Sequence, residues 1–207
     1  MVKPLDAINV IDAFRGQHGR PDKGAIHSRL PSVSFGSLPV AVVYAGSPNH
    51  FGDTVVRSQV IKAHLRIERP LPLCPEDPFI DAGLVLALMG AERGVEMLCH
   101  FGEHIYNTNN WCEHFAQRFS DVADMAAQAS ELLSELYLEA YVLLDDPEFV
   151  AMAKKRGFDG AAYGGSGESA LTTEYRVFSQ EQIWIQQIMD LPSAKRLLNV
   201  MSLAAAA

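Results

Sequence analysis

Cysteine is scarce in this sequence, with three residues, Cys74, Cys99 and Cys112, in a chain of 207. An odd number cannot pair completely, which points to a reducing compartment. No Cys-x-x-Cys or His-Glu-x-x-His spacing occurs, so no paired zinc motif is present and no metal is expected. Long apolar runs are missing as well. Without a stretch of about 18 apolar residues or a signal-type apolar N-terminus, the expectation is a cytoplasmic protein with no membrane partner. Positive charge is short too: 17 Lys and Arg stand against 25 Asp and Glu, a formal charge of −8. Such a chain repels a phosphate backbone, which disfavours generic nucleic-acid binding, although a nucleotide-sized anion needs only one or two local cations. No internal repeat is found, so a solenoid is not expected.

What is present is the composition of an ordinary folded protein, 48% hydrophobic and 20% charged. At this length one core suffices, and the chain buries most of its apolar surface. Leu5, Ile8, Ile11 and Phe14 recur at helical spacing before Gly16 and Gly19, predicting a short opening helix. Short β-like pieces follow at 25–27 and 32–35, then a small apolar helix at 40–45. Val60, Ala63, Leu65 and Ile67 alternate with Lys62, His64, Arg66 and Glu68, which predicts a strand that Pro70 and Pro72 close. In the middle, Val122, Met125, Ala126, Ala129, Leu132, Leu133, Leu136, Tyr137 and Ala140 fall on one stripe, predicting a long helix over 117–144 with a solvated acidic face. Asp146, Pro147 and Glu148 read as cap, first-turn proline and first-turn acid of a short helix that ends at Gly157. Strands are predicted at 158–163 and 174–178, with helices around 184–189 and 193–201.

The order of short helix, glycine, "GFDGAAYGG", loop and "EYRVFSQEQI" over 157–183 carries a resemblance. It is similar to the C-terminal end of ADP-ribosyltransferases of the phage and bacterial polyvalent-protein type. There a G-[YF]-D-G strand precedes a strand bearing the glutamate, which ends near a VF-x-x-x-QI turn. Earlier in the chain "AIHSR" (25–29) resembles the His-Gly or His-Ser/Thr strand of the His-Tyr-Glu branch, and Tyr44 matches its nicotinamide-stacking tyrosine. The strand running into "RPLPL" (69–73) resembles an L-x-I-x-N-P-L strand, with Arg69 where asparagine is usual. The resemblance covers both ends of the chain and leaves the middle unmatched. It implies one α+β domain over 1–207, with a split mixed or antiparallel β core and a large helical insertion at about 75–157.

It also implies NAD as substrate, a macromolecular acceptor such as a host protein, and release of nicotinamide. Cleaving the nicotinamide–ribose bond builds an oxocarbenium ion, so the site needs a carboxylate near the ribose, an aromatic face and donors for the pyrophosphate. The resemblance gives Glu174 the catalytic carboxylate, Tyr44 the nicotinamide stack and His27 the adenosine ribose. The Ser28 backbone takes the carboxamide and Arg29 the phosphates. The other branch uses an arginine with a Ser-x-Ser strand, which Arg29, Ser32 and Ser34 also fit, so the branch stays open. That branch places Gln or Glu two positions before the acid, where Thr172 stands here, which weakens arginine as the acceptor. "VVYAGS" (42–47) read as a first motif would have Ala45 in place of His and an inactive site; His27 leaves room for the second strand and Tyr44.

Two other functions fit the same fold. One is a non-catalytic interaction or inhibitor protein that uses the acidic middle; the other is an NAD glycohydrolase with water as acceptor. Short length and compact spacing resemble phage-encoded or injected effector transferases, which work in a host cytoplasm. A rival site is the cluster Cys99, His100, His104, Cys112 and His114, in which His100 and His104 lie one helical turn apart.

Overall fold

The computed structural model describes residues 10–19, 26, 28–47 and 57–205. It is mixed α/β with small antiparallel sheets. The chain divides into two compact units, Met1–Glu76 with Asp159–Ala207, and Asp77–Phe158.

The first unit holds two three-stranded antiparallel sheets. One has the order β1 (Ile11–Gly19), β3 (Arg57–Leu65), β8 (Ile183–Asp190). The other has the order β2 (Val33–Phe35), β7 (Thr173–Val177), β6 (Gly160–Gly164). Phe14 and Gly36 exchange backbone hydrogen bonds of 2.9 and 2.8 Å and so join the two sheets. Ala13, Ile61, Ala63 and Leu65 of the first sheet share one buried cluster with Val33, Phe35 and Val177 of the second. On the opposite face of the first sheet, α1 (Leu38–Gly46) and α8 (Leu191–Ala205) cover Phe14, Val60 and Met189. This two-sided burial follows from strand alternation, which sends Ala13 one way and Phe14 the other.

Gly16 sets how closely α1 lies on β1. A Cβ there would stand 2.0 Å from the Ala41 carbonyl oxygen and 2.7 Å from the Ala45 nitrogen, both backbone atoms. Gly16→Ala must therefore push the helix off the strand. Overpacking of this kind costs about 1–3 kcal/mol, a fall in melting temperature of roughly 3–10 °C by thermal denaturation; an unchanged melting temperature would contradict the close approach.

The second unit pairs β4 (Phe79–Asp81) with β5 (Tyr137–Glu139) and carries helices α2 (Ala82–Met89) through α7 (Pro147–Lys155). As predicted, Asp146 caps α7, its carboxylate accepting from the Phe149 amide at 2.8 Å, with Pro147 in the first turn.

Three expected elements are corrected. Ile11 and Phe14 stand in β1, not in an opening helix, because all nine residues of β1 pair with β3. The long helix over 117–144 is instead α5 (Val122–Gln128), a 3-10 helix (Ser130–Glu135), β5 and α6 (Ala140–Leu144). Its stripe residues Val122, Met125, Leu133, Leu136 and Ala140 are buried as expected, but Tyr137, expected on the same stripe, is exposed because it stands in a strand. The helix is broken at Ala129 (φ −154°, ψ 59°), and pairing with β4 takes the chain extended beyond it. The helix expected at 184–189 is the strand β8. There Lys62 pairs with Gln187 and Ala63 with Ile185, so Gln186 is an extra residue. The bulge puts Ile185 and Ile188 on one face at a spacing of three, which imitates a helical period. The strand expected at 25–27 lies largely outside the described residues.

Candidate functional site

The site centres on Glu174, in the middle of the second sheet of the first unit. On β7 it pairs directly with Tyr163 of β6 and lies one register step from Arg176, which faces Ser34 of β2. Alternation places Glu174 and Arg176 on the same face of the strand. Glu174 Oε1 accepts three hydrogen bonds: from Ser34 Oγ at 2.7 Å, Tyr163 OH at 2.8 Å and Arg176 Nε at 2.8 Å. Oε2 has Ser169 Oγ at 3.2 Å. Arg176 Nη1 donates to Ser32 Oγ at 3.2 Å. On β1, Arg15 Nη1 donates to the Ser34 carbonyl at 2.9 Å and Nε to Gln17 Oε1 at 3.2 Å. The bridge between Phe14 and Gly36 is what sets Arg15 beside Ser34.

The electrostatics follow. Burial pushes the Glu174 carboxyl up, but Arg176 and the donors Ser34 and Tyr163 outweigh it and hold the group below the ordinary glutamate range. It is ionised at neutral pH. Burial, with the Glu174 charge adding to it, pushes the Tyr163 phenol far up, so this hydroxyl always carries its proton. Burial and the neighbouring Arg176 bring Arg15 down to about 10, against the opposing effect of Glu174; it stays charged at neutral pH. Burial and then Glu174 raise the Tyr44 phenol. The Glu174 side chain keeps 10% of its surface exposed and that of Arg176 6%.

Of the residues expected from the sequence, Glu174, Ser34 and Tyr44 come together here. Tyr44 lies on α1, is 47% exposed, and feels the charges of Glu174, Arg176 and Glu168. Ser28 is occupied in a turn: its hydroxyl accepts from the Leu30 amide at 3.1 Å and lies 3.2 Å from the Ser32 carbonyl. Arg29 is on the surface. His27 lies outside the described residues. Thr172 donates its hydroxyl to the Ser169 carbonyl at 2.7 Å.

Arg15, Tyr163, Ser169 and Arg176 were not singled out from the sequence. Two of them had a signal: Glu174-x-Arg176 is a period-two charged pair on a predicted strand. The polar Arg15 and Gln17, also two apart, mark one face of β1 once it is read as a strand.

The motif residues outside the carboxylate are stitches. Asp159 accepts from the amides of Glu68 and Arg69, each at 2.9 Å. Gln182 donates to the carbonyls of Arg66 at 2.8 Å and Asp159 at 2.9 Å while accepting from the Ser179 amide at 2.9 Å. They tie the chain following β3 to the entry of β6 and the exit of β7, which lie at one end of the strand pair that carries Glu174.

In the second unit the Cys/His cluster does not converge. His104 Nδ1 lies 3.2 Å from Glu139 Oε2 and packs edge-on against Tyr141, while His100 packs against Phe101. Cys99 and Cys112, like Cys74, are free thiols, and no group of three or more His, Cys, Asp or Glu is placed to hold a metal among the described residues. No helix among them is long and apolar enough to cross a membrane.

No protein-family model, curated protein or solved structure matches the chain.

Proposed function

We propose that this chain is a mono-ADP-ribosyltransferase that transfers ADP-ribose from NAD to a macromolecular acceptor and releases nicotinamide. The observation that carries the reading is the ionised, buried Glu174, bound by Ser34 and Arg176 with Tyr44 near enough to feel its charge. These residues come from three separate stretches of sequence. A fold of the ADP-ribosyltransferase type is supported by the paired three-stranded antiparallel sheets joined through Phe14 and Gly36.

In this mechanism the bond from ribose C1′ to the nicotinamide nitrogen breaks and its electron pair leaves with nicotinamide. Glu174 accepts a hydrogen bond from a ribose hydroxyl and stabilises the positive charge developing on the ring. The acceptor's nucleophile then bonds to C1′ and gives up its proton. Tyr44, half-exposed on α1, stacks on the leaving ring.

For the pyrophosphate, Arg15 is better placed than Arg29, since Arg15 touches the Ser34 strand beside the carboxylate and Arg29 lies on the surface. Arg15, Ser34 and Glu174 together favour the arginine and Ser-x-Ser branch. A second reading, NAD hydrolysis with water as acceptor, is favoured by Thr172, whose hydroxyl is engaged within its own turn. A host protein as acceptor and a host cytoplasm as location belong to the same proposal.

Incubating the purified chain with NAD labelled in the adenylate and with a cell lysate tests this. Nicotinamide release with label on a macromolecule is the expected result, and free ADP-ribose without labelled product selects hydrolysis. If no nicotinamide is freed under either condition, the enzyme reading fails.

A further inference from the structure

The two oxygens of Glu174 are not equivalent. Oε1 receives donors from Ser34, Tyr163 and Arg176 within 2.8 Å, which fills the acceptor capacity of one carboxylate oxygen. Oε2 has one hydrogen-bond contact among the described residues, Ser169 Oγ at 3.2 Å. That hydroxyl also lies 2.8 Å from the Ser166 carbonyl, and with a single proton it cannot donate fully to both. Oε2 is the oxygen with capacity left for a substrate hydroxyl.

Ser169 is buried, and its 3-10 turn packs against α1, the helix that carries Tyr44. It closes the 3-10 turn Gly167–Ser169. That turn is fastened by the Thr172 hydroxyl on the Ser169 carbonyl at 2.7 Å and by the Gly165 amide on the Thr172 carbonyl at 2.8 Å. Gly165 leaves room for this seat, since a Cβ there would come within 2.4 Å of Ser169 Oγ. Next to Thr172, Leu171 takes a left-handed backbone (φ 66°) with its side chain fully exposed, a conformation costly for a residue with a β-carbon. The turn is therefore closed by hydrogen bonds against local strain.

We propose that Ser169 is a latch on Glu174: NAD enters by displacing Ser169 from Oε2, and residues 165–172 open to release it. Tyr163, Ser34 and Arg176 hold Oε1 throughout, so the carboxylate keeps its orientation while its free oxygen changes partner. Ser169 is a positioning residue in this scheme. The inference rests on the NAD reading above.

Titration calorimetry with a carbocyclic NAD analogue, whose glycosidic bond is not cleaved, measures affinity without turnover. Ser169→Ala removes the hydrogen bond that the ligand must displace, and the dissociation constant should fall about threefold to tenfold, the size of one such bond. Thr172→Val, which loosens the same turn without touching Glu174, should move affinity in the same direction. Hydrogen exchange adds a readout of opposite sign to ordinary ligand protection: saturating analogue should accelerate exchange at the Ala170 and Thr172 amides, which donate within the turn at 3.1 Å. Equal or weaker binding by Ser169→Ala, or slowed exchange at those amides on binding, overturns the latch while the NAD reading stands. Failure of every form, wild type included, to bind the analogue overturns both.

Discussion

Glu174→Gln should reduce nicotinamide release by roughly 10²–10³-fold, the loss seen when one charge-stabilising group is removed from a transition state. Gln retains an oxygen to accept from Ser34, Tyr163 and Arg176, so the shape of the site is largely kept and the negative charge is what disappears. Initial rates of nicotinamide release at saturating NAD, with circular dichroism to confirm the fold, measure it. A rate within threefold of wild type would remove Glu174 from the chemistry. The wild-type pH profile carries a linked expectation. Because the folded carboxyl sits below its ordinary value of 4.5, the reactive carboxylate persists down to that pH, and the acid limb of the rate falls below it. The sign for stability is the same. A depressed folded value means that the group's contribution is fully present above 4.5 and is lost as pH falls through the folded value.

The two halves of the site differed in how legible they were. Glu174 and its strand were marked by local pattern: an alternating run, bounded by glycines on one side and a polar turn on the other. Asp159 and Gln182 made that stretch distinctive for a reason that has nothing to do with bond cleavage. Their side chains replace missing backbone partners where three chain segments meet, and few residue types do that with both oxygens, or with an amide that donates and accepts. A motif of this kind reports architecture first and the carboxylate second.

Arg15 was hidden because Leu5, Ile8, Ile11 and Phe14 imitate a helix, and pairing with β3 is a long-range fact that no local window contains. The same holds at β8, where one extra residue turned a period of two into a spacing of three. At 117–144 the buried stripe was legible while its backbone was not. Burial depends on which side chains face inward, and a chain that passes from α to 3-10 to strand can keep the same residues inward. Tyr163 reads as an ordinary buried aromatic until the register places it opposite Glu174.

Combining Arg176→Met with Glu174→Leu should give a protein more stable than Glu174→Leu alone. Arg176 and Glu174 are both more than nine-tenths buried, and removing either partner leaves the other charge desolvated, at a cost of about 3–5 kcal/mol for such pairs. Glu174→Leu carries an added penalty, since the Ser34 and Tyr163 hydroxyls lose their acceptor and the charges of Arg15 and Arg176 lose the carboxylate between them. Removing the Arg176 guanidinium then relieves a buried cation that has lost its carboxylate, with its bond to Ser32 as the cost. The second substitution should therefore raise stability by about 1–3 kcal/mol over the Glu174→Leu single variant. Recovery to wild type is not expected, because Arg15 and the two hydroxyls keep their losses. Urea denaturation of the four proteins of the cycle reads this directly. If the effects of the two substitutions simply add, the pair is not energetically coupled, and Arg176 would then owe its place beside Glu174 to its bond with Ser32.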